Sequence, residues 1–148
     1  MEPIISAEAH ALGMHAQNRR KVVSDFFELV MQGRQNEGLG FFALDCRQHN
    51  PFIRGGMKEL LDGMTSAQKE ADKYPDPSFA VRSVLVDGDL VAAHTEMLSS
   101  RSNPGEGGLR QVHLFRFRGD KVIEYFDITQ AIQPDMPNAA NAFLGEQP

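Results

Sequence analysis

The chain has 148 residues, with 15 lysines and arginines against 20 aspartates and glutamates, for a formal net charge of −5. That length suits one domain, and 41% hydrophobic with 24% charged residues is the ordinary composition of a globular fold. The acidic balance argues against nucleic-acid binding, because the only basic run, Arg19-Arg20-Lys21, reads as a solvated helix face.

Cys46 stands alone, which excludes an intrachain disulfide and a multi-cysteine metal site. No stretch approaches the roughly 20 apolar residues that span a bilayer. The N-terminus carries Glu2 and no basic region followed by an apolar run, so it does not read as a signal peptide, and a cytoplasmic location is expected.

Residues 1–16 are a possible N-terminal extension, a tail or short helix carrying His10 and His15 with weak periodicity. From Gln17 the spacing of Val22, Val23, Phe26, Phe27 and Val30 predicts an amphipathic helix of about four turns that stops at Gly33. A short helical stretch is expected over Gly38–Ala43. Asp45–Pro51 follows as an extended or turn segment, since Pro51 biases Asn50 away from helix. Gly55-Gly56 opens a third helix that buries Leu60, Leu61, Met64 and Ala67, and Tyr74-Pro75-Asp76-Pro77 stops it.

The period then changes to two. Phe79–Val86 and Leu90–Leu98 read as strands joined by Asp87-Gly88-Asp89, and a polar loop over 99–108 leads to a second hairpin, Gln111–Arg118 and Lys121–Gln130. The segment 131–148, with Pro134 and Pro137, reads as an irregular tail across the surface. Helices first and antiparallel strands afterward give an α+β domain, with a curved sheet folded over the helices.

The second hairpin holds the residues best suited to proton chemistry. A strict two-residue loop of Gly119-Asp120 would set His113 across from Phe126 and turn Asp127 to the other face. A bulged turn pairing Gly119 with Lys121 would set His113 across from Asp127, Phe115 across from Tyr125 and Phe117 across from Ile123. The aromatic pattern favours this second register, and Gly119 suits the positive φ of a bulge. His94 and Glu96 share one face of their strand, with Leu90 and Ala92 on the same side pointing to an interior position. His49 and Asn50 lie in the loop after the helical layer.

Each candidate has a structural reading beside the chemical one. His49-Asn50-Pro51 can be a hydrogen-bonded turn, His94 a core histidine, and His113 a structural partner of Asp127. Asp127, flanked by Phe126 and Ile128, is the residue whose burial most demands a partner or a purpose. A zinc or iron site built from these histidines with Glu96 or Asp127 lacks any clustered ligand spacing, and no Gly-x-Ser-x-Gly nucleophile elbow is present.

Three blocks resemble a known family: Gln48-His49-Asn50-Pro51, Val86–His94, and Phe115–Gln130 with its Gly119-Asp120 turn. They are similar to SnoaL-like proteins of the nuclear transport factor 2-like superfamily over roughly residues 17 to 132. The resemblance implies a single domain over 1–148. Its fold is a cone-shaped α+β barrel, N-terminal helices packed on a strongly curved antiparallel sheet around a deep apolar pocket.

It further implies cofactor-independent acid/base chemistry of the polyketide cyclase type. Asp127 looks like the catalytic acid/base and His113 its neighbour, with His49, Asn50 and His94 at or near the pocket that takes a small apolar carbonyl compound; Tyr125 and Phe115 are expected to line the same pocket and desolvate Asp127. The leading reading is a lyase or isomerase acting on that compound, with a non-catalytic small-molecule binding module or a dimeric scaffold of the same fold as the alternative. The outer face, with Val112, Leu114, Phe126 and Ile128, is the expected homodimer surface.

Overall fold

A computed structural model describes residues 6–144 of the chain. Helix α1 spans Ala7–Met31 and begins ten residues earlier than the apolar periodicity predicts. Ser6 caps it by accepting the Ala9 N–H at 3.1 Å. Nearly all described side chains before Arg19 are exposed, so these first turns carry no buried apolar stripe for sequence periodicity to register. Residues 1–5 of the expected extension, and 145–148 of the expected tail, lie outside the described residues.

The helix ends as its glycine predicts. Gly33 takes φ +70°, its N–H donates to Val30 O, and the Arg34 N–H donates to Leu29 O at 2.7 Å. This is the Schellman arrangement, which satisfies two of the last carbonyls. A 3₁₀ segment over Gln35–Phe41 then leads into strand β1, Phe42–Gln48, where the sequence showed only an extended or turn segment. Helix α2 covers Met57–Ala71, and its Glu59 carboxylate accepts the Gly56 N–H at 2.9 Å.

Strands β2 (Ser78–Asp87), β3 (Leu90–Leu98), β4 (Gly108–Arg118) and β5 (Lys121–Ile132) complete a five-stranded sheet in the order β1-β5-β4-β3-β2. Successive strands from β2 to β5 pair antiparallel, and β1 joins β5 in parallel. The architecture is therefore α+β, with a mixed and mostly antiparallel sheet. Its core lies where Val23, Phe26, Phe27 and Val30 of α1 meet Leu60 and Leu61 of α2 and the inward residues Val91, Ala93, Phe115, Phe117, Val122 and Tyr125.

The register of the second hairpin is the one that sets His113 across from Asp127, with Phe115 across from Tyr125. The irregularity that produces it lies elsewhere than expected. Gly119-Asp120 forms a tight two-residue loop with Arg118 paired to Lys121, and the extra residue is Ile123, between Val122 opposite Phe117 and Glu124 opposite Arg116. One inserted residue shifts the register equally at either place, so alternation along β4 and β5 could not locate it.

Strand β3 presents the opposite face to the one expected. Val91, Ala93 and Thr95 point inward, because Ala93 and Val91 sit across from His113 and Phe115, whose rings meet Phe27. Leu90, Ala92, His94 and Glu96 therefore face outward. Glu96 is nonetheless only 1% exposed, because the end of the chain covers it. Its two oxygens accept the Leu144 N–H, each at 3.1 Å, and one accepts Arg82 Nε at 2.7 Å. Arg82 is the unpaired residue of a bulge in β2.

The tail is accordingly a packed strap. Strand β5 takes its first two residues, and Ala139 and Phe143 form a small second core with Leu98 and Ile132. The Arg19-Arg20-Lys21 run also departs from a merely solvated face. Arg19 donates to Gly88 O and Gly119 O at the tips of both hairpins, and Arg20 donates to Val84 O. Arginines on α1 thus tie the helix to the sheet at the end where the two hairpins turn.

Candidate functional site

A cavity of about 460 Å³ lies between the C-terminal halves of α1 and α2 and the inward face of the sheet. Phe27, Val30 and Met31 of α1, Met64, Ala67 and Ala71 of α2, and Phe79, Met97 and Leu109 of the sheet make its wall largely apolar. His113, Tyr125 and Asp127 line it together. They converge because the β4–β5 register places residues 113 and 127 directly opposite, with 125 two positions along the same face.

The imidazole of His113 is 3% exposed and both its nitrogens are engaged. Nε2 lies 2.9 Å from Thr95 Oγ1 and Nδ1 lies 2.7 Å from the Tyr125 hydroxyl. Burial pulls its pKa down to about 3, so the ring is neutral at ordinary pH. Burial, with the charge of Asp127 as a second cause, pushes the Tyr125 phenol well above its usual range. The three residues form one chain of neutral groups, Thr95–His113–Tyr125.

Asp127 makes no hydrogen bond to His113. Its partner is Asn50, whose Nδ2 donates to the two carboxylate oxygens at 3.0 and 2.8 Å. Asn50 is fixed in turn: its Oδ1 accepts the Phe52 N–H and its own N–H donates to Gln48 Oε1, each at 2.8 Å. Gln48 Nε2 donates to Ile53 O and Gly55 O, so a single side chain spans the loop. The Gln48-His49-Asn50-Pro51 block is a bracket that carries one amide to the rim of the cavity.

Two predicted pocket residues lie elsewhere. His94 faces outward, where it borders a shallow hollow with Arg110, Val112, Ile128 and Gln130. His49 stacks on Phe126 at 4.1 Å between ring centroids, and its Nε2 lies 3.1 Å from Glu124 Oε2. Phe126 and Glu124 sit on the face opposite Tyr125 and Asp127, which takes His49 away from the cavity. Hydrogen bonding by His49, foremost, and then the charge of Arg47 hold the Glu124 carboxyl below its usual value.

Phe115 is buried behind His113 and Tyr125 and supports their rings without lining the cavity wall. Sequence reading missed Thr95, although its alternation with Val91 and Ala93 places it on their face, and it missed Gln48, which carries no periodic signal. Among the described residues, no group of three or more His, Cys, Asp or Glu side chains is placed to hold a metal ion. Cys46 is buried, and desolvation followed by the charges of Asp45 and Glu124 raises its pKa to about 11, which suits an inert thiol. No helix among the described residues is long and apolar enough to cross a membrane.

The profile of the SnoaL-like domain matches residues 23–125, which runs from the first core valine of α1 to the cavity tyrosine. This chain belongs to the SnoaL-like domain family. The match stops just short of Asp127, so the aspartate rests on the geometry above. No curated protein has a sequence that matches the SnoaL-like chain.

Solved structures share its fold at low identity. AclR, a proposed hydroxylase from Streptomyces galilaeus, superposes with a TM-score of 0.60 at 15% identity, over 78% of this chain and 90% of its own. An NTF2-like protein of unknown function from Cytophaga hutchinsonii gives 0.57 at 11%, over 88% and 95%. A proposed polyketide cyclase from Sinorhizobium meliloti gives 0.57 at 16%, over 73% and 94%. These likenesses establish an NTF2-like fold for the SnoaL-like domain.

Proposed function

We propose that this SnoaL-like protein is a cofactor-independent enzyme of the lyase or isomerase type, acting on a small, largely apolar carbonyl compound. The observation that carries this reading is the convergence of a carboxylate, a phenol and a neutral imidazole on one apolar cavity. Asp127 takes the proton from the carbon beside the carbonyl, and the electron pair of the broken C–H bond moves into the enolate. The enolate carbon then attacks a second carbonyl of the same molecule, as in a cyclase, and the alkoxide formed from that C=O bond takes the proton back from Asp127; in an isomerase Asp127 returns the proton to another carbon instead.

Tyr125 is placed to stabilise the enolate oxygen. With the His113 proton on Nδ1, Thr95 donates to Nε2 and Nδ1–H donates to the Tyr125 oxygen, the tautomer that leaves the phenol proton for the ligand. A donor fixed in this way contributes about 2–4 kcal/mol to such a transition state. Turnover of small diketones and cyclic enones, compared in the native protein and Asp127→Asn, tests the reading. Loss of about 10²-fold or more in kcat with the fold intact supports it, and unchanged turnover overturns it.

A second reading, a small-molecule binding module without turnover, is favoured by the satisfied state of the network. Both imidazole nitrogens and both Asp127 oxygens already have partners inside the protein. A binder would tolerate Asp127→Asn with only a modest change in affinity and would turn over none of these compounds.

We also propose that the chain forms a homodimer through the outer face of the sheet. Val112, Phe126 and Ile128 are 39%, 38% and 60% exposed on adjoining strands, an apolar group that supports a partner surface there. Sedimentation at micromolar concentration tests this; a monomer there overturns it.

A further inference from the structure

The ionisable groups around the cavity are unbalanced in sign. Among the described residues its lining includes two carboxylates, Asp72 and Asp127, and no lysine or arginine. Among the described residues no cation pairs with Asp127, whose hydrogen bonds come from the neutral amide of Asn50. His113 adds no positive charge, since burial keeps its ring neutral.

The backbone reinforces the imbalance. Both α1 and α2 end at the rim, where Gln32, Gly33 and Asp72 belong to the lining. The C-terminus of a helix carries roughly half a negative charge. The last turn of α1 has no basic residue, and the Lys69 of α2 is exposed and outside the lining. The remaining polar groups of the wall, such as Gln68, Ser78 and Gln111, are neutral.

We infer that the cavity selects its ligand by charge, admitting uncharged or cationic molecules and rejecting anions. This inference rests on the reading of the cavity as the ligand site and deepens it by naming the substrate class. It also fits the proposed step. When Asp127 takes a proton from a neutral carbonyl compound, one negative charge moves from the carboxylate to the enolate oxygen and the total stays constant. A substrate bearing a carboxylate or phosphate would bring a further negative charge into a site whose described lining holds no cation to meet it.

Three probes of the same ring and nearly the same shape test this by calorimetry on the full chain near neutral pH: 2-acetonaphthone, 2-naphthoate and protonated 2-naphthamidine. The expected result is naphthoate at least about tenfold weaker than the ketone, with the amidinium as tight as the ketone or tighter. Naphthoate within threefold of the ketone, or tighter, overturns the inference. An amidinium as weak as naphthoate also overturns it, because the cavity would then reject charge of either sign.

If none of the three binds at millimolar concentration, the cavity is no site for such ligands, and the proposed function fails together with the inference. A wall variant checks the cause. Met97→Lys places an ammonium beside the cavity and should shift the ratio of naphthoate to ketone affinity by about tenfold toward naphthoate. Should that variant fold poorly, the native comparison still decides.

Discussion

Asn50 Nδ2 lies 2.8 and 3.0 Å from the two carboxylate oxygens of Asp127, a residue 77 positions further along the chain. Among the described residues, that amide is the polar contact that fixes the direction of the Asp127 carboxylate. Asn50→Ala removes that donor together with the acceptor for the Phe52 N–H. Hydrogen bonds to charged groups contribute about 1.5–3 kcal/mol, and partial exposure of the pair lowers this to about 1–2 kcal/mol. Urea denaturation of the variant should show that loss. If Asp127 is the base, kcat should fall more than KM rises; equal kcat would remove Asn50 from any positioning role.

Gln48 acts one step further back. Its amide joins the backbone at Asn50, Ile53 and Gly55 and touches nothing in the cavity. Gln48→Leu keeps the bulk and leaves those backbone groups to find water. The expected cost is about 1–3 kcal/mol, with faster amide exchange at Asn50. Exchange there at the native rate would show that Pro51 and the β1–β5 pairing hold the loop unaided.

Much of this arrangement was legible in residue types and spacing. The core face of α1 follows from Val23, Phe26, Phe27 and Val30, and the aromatic alternation of β4 and β5 favours the register that joins His113 to Asp127. What stayed hidden has a physical reason in each case. Strand β3 has small or apolar residues on both faces, so Leu90 and Ala92 argued for the wrong side and drew His94 with them. His49 and Asn50 are neighbours that the strand end sends to opposite sides of the sheet, one to Phe126 and one to Asp127. The partner of Glu96 is a backbone amide near the chain end, and backbone groups leave no mark on a sequence pattern.

Glu96 is 1% exposed, and it satisfies both Arg82, itself 18% exposed, and the Leu144 N–H. Glu96→Ala strands a mostly buried guanidinium and frees the strap, and breaking a buried pair in this way costs about 3–5 kcal/mol. Thermal denaturation should register the loss. Hydrogen exchange should show residues 139–144 opening well before β3 and β4. If the strap stays protected in the variant, the small core of Leu98, Ile132, Ala139 and Phe143 holds it without the carboxylate.

His113 makes a pH-dependent contribution whose sign follows from its burial. In the unfolded chain its imidazole titrates near 6.5, and in the fold near 3. Between those values the unfolded state binds a proton that the native state refuses, so stability is fully present above about pH 6.5 and falls as the pH drops. The slope for one such group is about 1.4 kcal/mol per pH unit. His113→Gln keeps groups that can bond to Thr95 and Tyr125 and removes the titration. Urea midpoints at pH 7, 6 and 5, taken for both proteins, separate this term from the carboxylates, which are common to the two. The native protein should lose about 1.4 kcal/mol more than the variant for each unit below about 6.5. Parallel curves would mean that the imidazole takes up its proton inside the fold, and with it that the Thr95–His113–Tyr125 chain is not the neutral relay on which Tyr125 depends to donate to a ligand.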